Sequence, residues 1–351
     1  MRWCIGLANG GCDGDGDSDG GDACGILTSG GTESILISLL AHREEAVARG
    51  IAEPEVVCSS TAHGAVAKAG FYFKLKVVLV HPDPVTMRLT RAAVAKVCTP
   101  STCCIFASAP SFPHGVVDDL RGLGSLALEL GCGLHMDNCL GGVLLQHLQQ
   151  EGKLKPGGHA AAAAQLGLQL PGLTAISMDV HKYGYASKGA SVVLFASPEL
   201  RRRSFKPVGP VPGGQYTGGP YITPTLQGAR GGGAIAAAWV TVAAMGNVEY
   251  RAAATRLHTA FETVQAAVKN TPGVELVGDA ELAVIAMRPC GSAAAEGQIG
   301  VTVFAEGMKS RGWAFFSGLN PFAGTCVCAS AELLETCEHC AARSALCCCS
   351  I

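Results

Sequence analysis

The sequence predicts an α/β fold built around a largely parallel sheet. Three observations carry this expectation. Short apolar, β-branched runs recur between residues 55 and 195, helical patterns lie between several of them, and the runs are apolar throughout instead of alternating. A parallel sheet covered by helices on both faces requires such strands, and strand–helix alternation supplies its crossovers.

The elements follow in chain order. Residues 9–22 (NGGCDGDGDSDGGD) are Gly/Asp low complexity and read as a solvated loop. Their alternating aspartates are similar to a calcium loop, but the closing bidentate Glu is missing, so no calcium site is expected. Gly25–Thr28 leads into a glycine turn, and Ser34–Arg49 suits a helix. Strands are expected at 55–60, 76–80, 103–108, 134–137, 175–179 and 191–195, with helices at 62–71, 90–97 and 118–130. The alanine run 160–164, with its Gly-rich flank, reads as a surface insertion, and the Gly/Pro-rich stretch 207–233 as a long loop. A helical pattern resumes at 248–269, and strands and a helix of a smaller second domain are expected at 274–287 and 301–313. The expected division is a low-complexity segment 1–24, a large cofactor-binding domain 25–246, a small C-terminal α+β domain 247–325 and a Cys-rich tail 326–351.

Composition excludes several classes of function. The net charge is −2 and no basic stripe stands out, which argues against nucleic-acid binding. Charged residues are 15% and hydrophobic residues 48%, which excludes an acidic disordered chain. No apolar run reaches the length of a bilayer span, and residues 1–12 show no secretory pattern. Most of the 17 cysteines are therefore expected to be reduced and buried, and the chain as written to be cytoplasmic. Seven of them fall at or after Cys326. The spacing of Cys326, Cys328, Cys337 and Cys340 is irregular for zinc, so a biased tail without metal is expected.

Four motifs carry chemistry. Thr28-Ser-Gly-Gly-Thr32-Glu33-Ser34 precedes an apolar helix, so Gly30, Gly31 and Thr32 can turn around a phosphate at the helix N-terminus. The plainer reading is a capping turn with Ser29 or Thr32 as N-cap. Leu134-His-Met-Asp137-Asn-Cys-Leu-Gly-Gly142 places Asp137 at a strand end where ligands bind, or where it simply caps. Ser177-Met-Asp-Val-His181-Lys182-Tyr-Gly-Tyr185-Ala-Ser-Lys188-Gly189 delivers His181 and Lys182 from an apolar strand into a glycine-containing loop. A partly desolvated lysine there is a nucleophilic amine, whereas an exposed one is only a loop residue. Thr61-Ala-His63-Gly-Ala-Val-Ala-Lys68 sets His63 at a helix start, where it stacks on a ligand or serves as a cap. Together the four meet the needs of pyridoxal phosphate: a lysine for covalent attachment, an acid for the pyridinium nitrogen, a phosphate cradle and a flat ring partner.

The segments SGGTES, STAHGAVAKAGFYF, PSFPHGVVDD, HMDNCLGG and DVHKYGYASKGAS resemble the sphingosine-1-phosphate lyase family, within the group II pyridoxal-phosphate-dependent decarboxylase superfamily. The similarity runs from about Gly25 to Gly246, with Met308–Trp313 similar to a small-domain segment. The resemblance implies the pyridoxal-phosphate-dependent transferase fold (fold type I) and pyridoxal 5'-phosphate as cofactor. It implies Lys182 as the covalent attachment point, Asp137 on the pyridine nitrogen and His63 stacked on the ring. Gly31, Thr32 and His181 would hold the phosphate, with Gly30 in the same turn and Ser177 near it. Tyr183, Tyr185 and Lys188 would lie at the substrate loop. Ser187 stands where the family has Pro. The loop Tyr221-Ile-Thr223-Pro-Thr225 would reach a neighbouring subunit's site in a homodimer, with Thr223 where the family often has Ser.

The implied reaction cleaves the Cα–Cβ bond of a phosphorylated sphingoid base, giving a long-chain aldehyde and phosphoethanolamine in sphingolipid catabolism. The alternatives are an amino-acid decarboxylase of the same superfamily and an inactive truncated homologue; Tyr183-Gly-Tyr185 with Lys188 favours the lyase. Only about 24 residues precede the phosphate turn, so a chain incomplete or divergent at both ends is expected, with weak cofactor binding on its own. A longer form with the family's N-terminal anchor would sit on the cytosolic face of the endoplasmic reticulum.

Overall fold

The structure is a computed structural model. It describes residues 23–205 and 221–290, then 303, 306, 307, 309, 310, 316–320 and 324–330. The low-complexity stretch 9–22, most of 301–313 and the tail from residue 331, with Cys337 and Cys340, lie outside the described residues.

The first sheet has seven strands: β1 (Cys24–Thr28), β2 (Glu55–Ser59), β3 (Lys76–Val80), β4 (Thr102–Ser108), β5 (Gly133–Asp137), β6 (Leu173–Asp179) and β7 (Ser191–Phe195). Their order across the sheet is β1-β7-β6-β5-β4-β2-β3. Every pairing is parallel except those of β7, which runs against both β6 and β1. β2, β4 and β5 are buried along their whole length, which is why their sequences do not alternate.

Helices α1 (Gly31–Ala48), α2 (Ala65–Phe73), α3 (Arg91–Ala95), α4 (Leu120–Leu130), α5 (Gly141–Gln150), α6 (His159–Leu166) and α7 (Pro198–Arg203) connect or flank these strands, and α8 (Gly233–Lys269) follows. The glycine pair after Asp137 has a packing reason: a Cβ on Gly141 or Gly142 would meet the Ala109 carbonyl at 2.2 Å or the Met178 side chain at 2.1 Å. α5 therefore lies close against the sheet. A second, antiparallel sheet of order β10-β11-β9-β8 comprises β8 (Val274–Leu276), β9 (Val284–Pro289), β10 (Phe316–Asn320) and β11 (Gly324–Ser330). Arg88 ties it to the first sheet, donating to Glu281 at 2.7 Å and Asp279 at 3.2 Å.

The expected strands appear within two residues of their boundaries. Three readings need correction. Gly25–Thr28 is not merely a lead-in: it belongs to β1, an edge strand paired with β7. The alanine run 160–164 is not a surface insertion. It forms α6, with Ala160–Ala163 all buried, because small side chains let this helix pack closely, and Glu281 accepts the Ala160 N–H at 3.0 Å. The helix expected at 248–269 begins earlier, at Gly233, and passes through a non-helical residue, Gly246 (φ 57°). Of the expected loop 207–233, residues 221–232 are irregular and 206–220 lie outside the described residues.

The register places the C-terminal ends of β1, β2, β4, β5 and β6 on one sheet edge. Thr28 is opposite Ser191, which is opposite Asp179; Asp137 is opposite both Ser177 and Ser108. In open α/β sheets this edge is where ligands bind.

Candidate active site

At the end of β6 the chain turns, and Lys182 folds back onto Asp179. Lys182 Nζ lies 2.9 Å from Asp179 Oδ2; the lysine is about one-quarter exposed and the carboxylate buried. Burial pulls the ammonium down, but the charge of Asp179 and its hydrogen bond, with Asp137 further off, hold it above its ordinary value. His181 stands beside the pair. Its Nδ1 accepts the Ala190 N–H at 3.3 Å, which leaves Nε2 as the protonated nitrogen, 3.7 Å from Asp179 Oδ2. Burial lowers the basicity of the His181 ring; Asp179 opposes this, and Lys188 and Lys182 add to it.

The glycine turn abuts this pair. α1 starts at Gly31 with Gly30 as N-cap, and no side chain caps it. Ser29 is not the cap: its N–H and hydroxyl both donate to Glu33 Oε2, at 2.6 and 2.7 Å. The first N–H groups of α1 are thus left for a ligand. A chain of hydroxyls seats the turn, Thr28 to Ser34 at 2.6 Å and Ser34 to Ser191 at 2.9 Å. A Cβ on Gly31 would lie 2.8 Å from Cys139 Sγ and 2.9 Å from both Asp179 oxygens, whereas one on Gly30 would meet only His181 Cε1 at 3.5 Å. Thr32, half-buried, follows in the first turn.

Asp137 ends β5 one strand away. Its Oδ1 accepts the Cys139 N–H at 3.1 Å and the Ser177 hydroxyl at 3.1 Å. Ser177 is fully buried, so its hydroxyl supports Asp137 from beneath. Burial, then the charges of Asp137 and Asp179, push the Cys139 thiol well up, so it stays protonated.

The remaining candidates spread outward. His63 stands exposed in the turn between β2 and α2, with its Nδ1 accepting the Ala65 N–H at 3.1 Å. Tyr183 is buried in the core, Tyr185 is 41% exposed with φ 55°, and Lys188 is exposed. Thr223 donates to the Thr225 carbonyl at 3.1 Å within its own segment. Arg230 anchors that segment, donating to the Leu27 and Gly189 carbonyls at 2.9 and 3.4 Å.

Three residues of this arrangement are not among the expected site residues. Asp179 sits inside the lysine motif, and its spacing of three before Lys182 was the available signal. Tyr250 donates to the Gly184 carbonyl at 2.8 Å and braces the lysine loop. Arg230 offered no local signal, because its partners are 203 and 41 residues away.

Comparison with known proteins agrees with this fold. The pyridoxal-dependent decarboxylase conserved domain matches residues 13–289. The sphingosine-1-phosphate lyase of Saccharomyces cerevisiae is 34% identical over 309 residues, covering 86% of this chain and 48% of the relative. A solved sphingosine-1-phosphate lyase from Burkholderia pseudomallei is 32% identical with a TM-score of 0.78, over 92% of this chain and 72% of that one. A Lactobacillus brevis glutamate decarboxylase, 17% identical with a TM-score of 0.75, covering 93% of this chain and 73% of that one, shares the fold. The chain spans about half the length of the curated relatives it matches. The Lys182–Asp179 pair, the uncapped glycine turn and Asp137 lie within the matched region, and the chain belongs to the pyridoxal-dependent decarboxylase family.

Proposed function

We propose that this chain carries the cofactor site of a pyridoxal 5'-phosphate-dependent carbon–carbon lyase. Its substrates are phosphorylated sphingoid bases, cleaved to a long-chain aldehyde and phosphoethanolamine. The observation that carries the reading is the Lys182–Asp179 pair, set at 2.9 Å on the same sheet edge as Asp137 and the glycine turn. The sphingosine-1-phosphate lyases among its relatives support the substrate class.

The residues fit the cofactor. Asp179 Oδ1 is buried without a hydrogen-bond partner, the N-terminus of α1 has no side-chain cap, and a Cβ at Gly31 would fill the space between them. Gly30, Gly31, Thr32 and His181 would hold the phosphate. Asp137 would hold the proton on the ring nitrogen, and His63 would cover the ring. The chemistry that pyridoxal phosphate supplies when bound is an electron sink for the pair released as the Cα–Cβ bond breaks.

The chain's own part is positioning and proton control. Lys182 must lose its proton before it attacks, and Asp179 is the group that holds that proton. Ser177 and Cys139 orient Asp137 through Oδ1. Tyr185 and Lys188, exposed on the loop after Lys182, would meet the arriving substrate. In this reading residues 25–246 are the cofactor domain, and the small domain begins at 247 and takes in β11 to Ser330, past the expected boundary at 325, because β11 pairs with β9 inside the second sheet. A homodimer completes the site, supported by the exposed Tyr221 and Ile222 and by Ile235 and Trp239 on the first half of α8. No helix among the described residues is long and apolar enough to cross a membrane. The protein would work in the cytoplasm, or on the cytosolic face of the endoplasmic reticulum where a longer form carries an anchor.

The test is release of long-chain aldehyde from a phosphorylated long-chain base by the protein and by Lys182→Ala. Loss of release in the variant is expected. Equal release from both would overturn the mechanism, and carbon dioxide release from an amino acid instead would select the decarboxylase.

A further inference from the structure

Beneath the sheet edge runs a buried polar chain, of which the mechanism above uses only Ser177 and Asp137. His135 and Asp137 are two apart on β5, so they share a face. Ser177, the register partner of Asp137 on β6, lies on the same side, and Ser38 approaches from α1. Ser38, His135 and Ser177 are fully buried in an apolar setting, and His135 is stacked on Phe106 with ring centroids 5.0 Å apart. The contacts run Ser38 Oγ to His135 Nδ1 at 2.8 Å, His135 Nε2 to Ser177 Oγ at 3.1 Å, and Ser177 Oγ to Asp137 Oδ1 at 3.1 Å.

The hydrogen-bonding inventory gives this chain one polarity. An ionised carboxylate only accepts, so the Ser177 hydroxyl proton points at Asp137. Ser177 must then accept from His135, which puts the ring proton on Nε2. Nδ1 is left as an acceptor, and Ser38 donates to it. The ring stays neutral, because burial holds His135 well below its ordinary basicity and His42 on α1 adds to this. The other titratable groups close by are Cys139 after β5 and Asp179 and Lys182 at the end of β6. Ser177 and Cys139 both deliver their donors to Oδ1 of Asp137. Oδ2 remains for a ligand.

We propose that His135 is a positioning residue: with Ser38 behind it, it fixes the Ser177 hydroxyl on Oδ1 of Asp137, so that the carboxylate presents Oδ2 to a protonated ring nitrogen. This rests on the reading that Asp137 meets that nitrogen. A buried chain of hydrogen bonds with a single direction strengthens each link, and donors to a carboxylate favour its charged form.

The experiment has two arms. In the cofactor-free protein, nitrogen NMR should find the His135 proton on Nε2. Carboxyl carbon NMR at fixed pH should find the Asp137 carboxyl signal displaced in Ser177→Ala and in His135→Leu, and restored toward wild type in His135→Gln, which returns an N–H near the Nε2 position. In the second arm, pyridoxal phosphate is titrated into the same proteins and into Asp137→Asn. Ser177→Ala and Ser38→Ala should weaken binding roughly tenfold and shift the pH midpoint of the visible absorption, with urea midpoints recorded as the stability control.

A proton on Nδ1, or an unmoved Asp137 carboxyl signal in Ser177→Ala, overturns the proposal even if the cofactor does not bind. Asp137→Asn binding and absorbing like wild type would instead sink the reading of Asp137. Asp137→Asn altered with Ser177→Ala unchanged would remove only the relay. If His135→Leu does not fold, the two serine variants carry the test.

Discussion

Lys182 Nζ and Asp179 Oδ2 are 2.9 Å apart, three residues from each other in sequence, at the point where β6 ends. The relationship sets the protonation of the amine that the proposed chemistry needs. Burial alone would depress the lysine, and the charge and hydrogen bond of Asp179, with Asp137 further off, hold it up against that. Asp179→Asn should therefore lower the Lys182 pKa from its raised position. Covalent capture of pyridoxal phosphate, trapped with borohydride across a pH series and located by mass spectrometry, should move to lower pH by at least about one unit. An unchanged profile would show that Asp179 does not govern the amine.

Gly31 permits a close approach that no other residue permits. Gly31→Ala would push a methyl group to within 2.9 Å of Cys139 and Asp179, both buried. The expected cost is about 1–3 kcal/mol in urea unfolding, together with loss of cofactor affinity. Gly30→Ala meets only an ordinary contact at 3.5 Å and should be milder in stability. Equal behaviour of the two variants would contradict the geometry.

His42 is buried between Ser38 and Thr174, with its Nδ1 and Nε2 each 2.8 Å from a partner. Burial lowers its pKa from 6.5 to about 4. The unfolded chain therefore takes up a proton first as pH falls, so the stability contributed by neutral His42 is present above 6.5 and is lost between 6.5 and 4. The loss is about 3 kcal/mol for this one group. Asp118 acts in the opposite sense: burial raises it to about 7, so its contribution declines as pH rises from 3.8 toward 7. The comparison that isolates His42 is wild type against His42→Gln, by urea unfolding at pH 7 and pH 4. The wild type should lose about 3 kcal/mol more than the variant; parallel losses would refute the assignment.

Tyr250 braces the lysine loop from α8, where it is fully buried and stacked on His147. Tyr250→Phe removes the hydroxyl that reaches the Gly184 carbonyl at 2.8 Å. A destabilisation of about 1–2 kcal/mol is expected, with faster amide exchange in residues 183–186. A variant with unaltered exchange there would separate Tyr250 from the loop.

Much of this was legible along the chain. The apolar runs at 55–60, 103–108 and 134–137 became β2, β4 and β5, because a strand covered on both faces must be apolar throughout. The glycine turn and Asp137 were legible for the same local reason, each being a turn or strand end with its own chemistry. The edge strand β1 was not. Its five residues alternate weakly, and only pairing with β7 makes them a strand. The alanines of α6 looked like a surface insertion because alanine carries little burial signal, and only the neighbouring elements decide that it is inside.

The sequence by itself determined the strand–helix alternation, the residue types at each strand end and hence the chemistry available, since these depend on local pattern and turn geometry. Only the tertiary structure decided which of those groups meet. The parallel register brought Asp137 opposite Ser177, and the antiparallel turn of β7 brought the glycine turn across to Asp179. Burial then set the protonation of His135 and His42, and the contact with Asp179 that of Lys182 against its burial. Those are properties of distance and solvent exclusion, which no single stretch of residues carries.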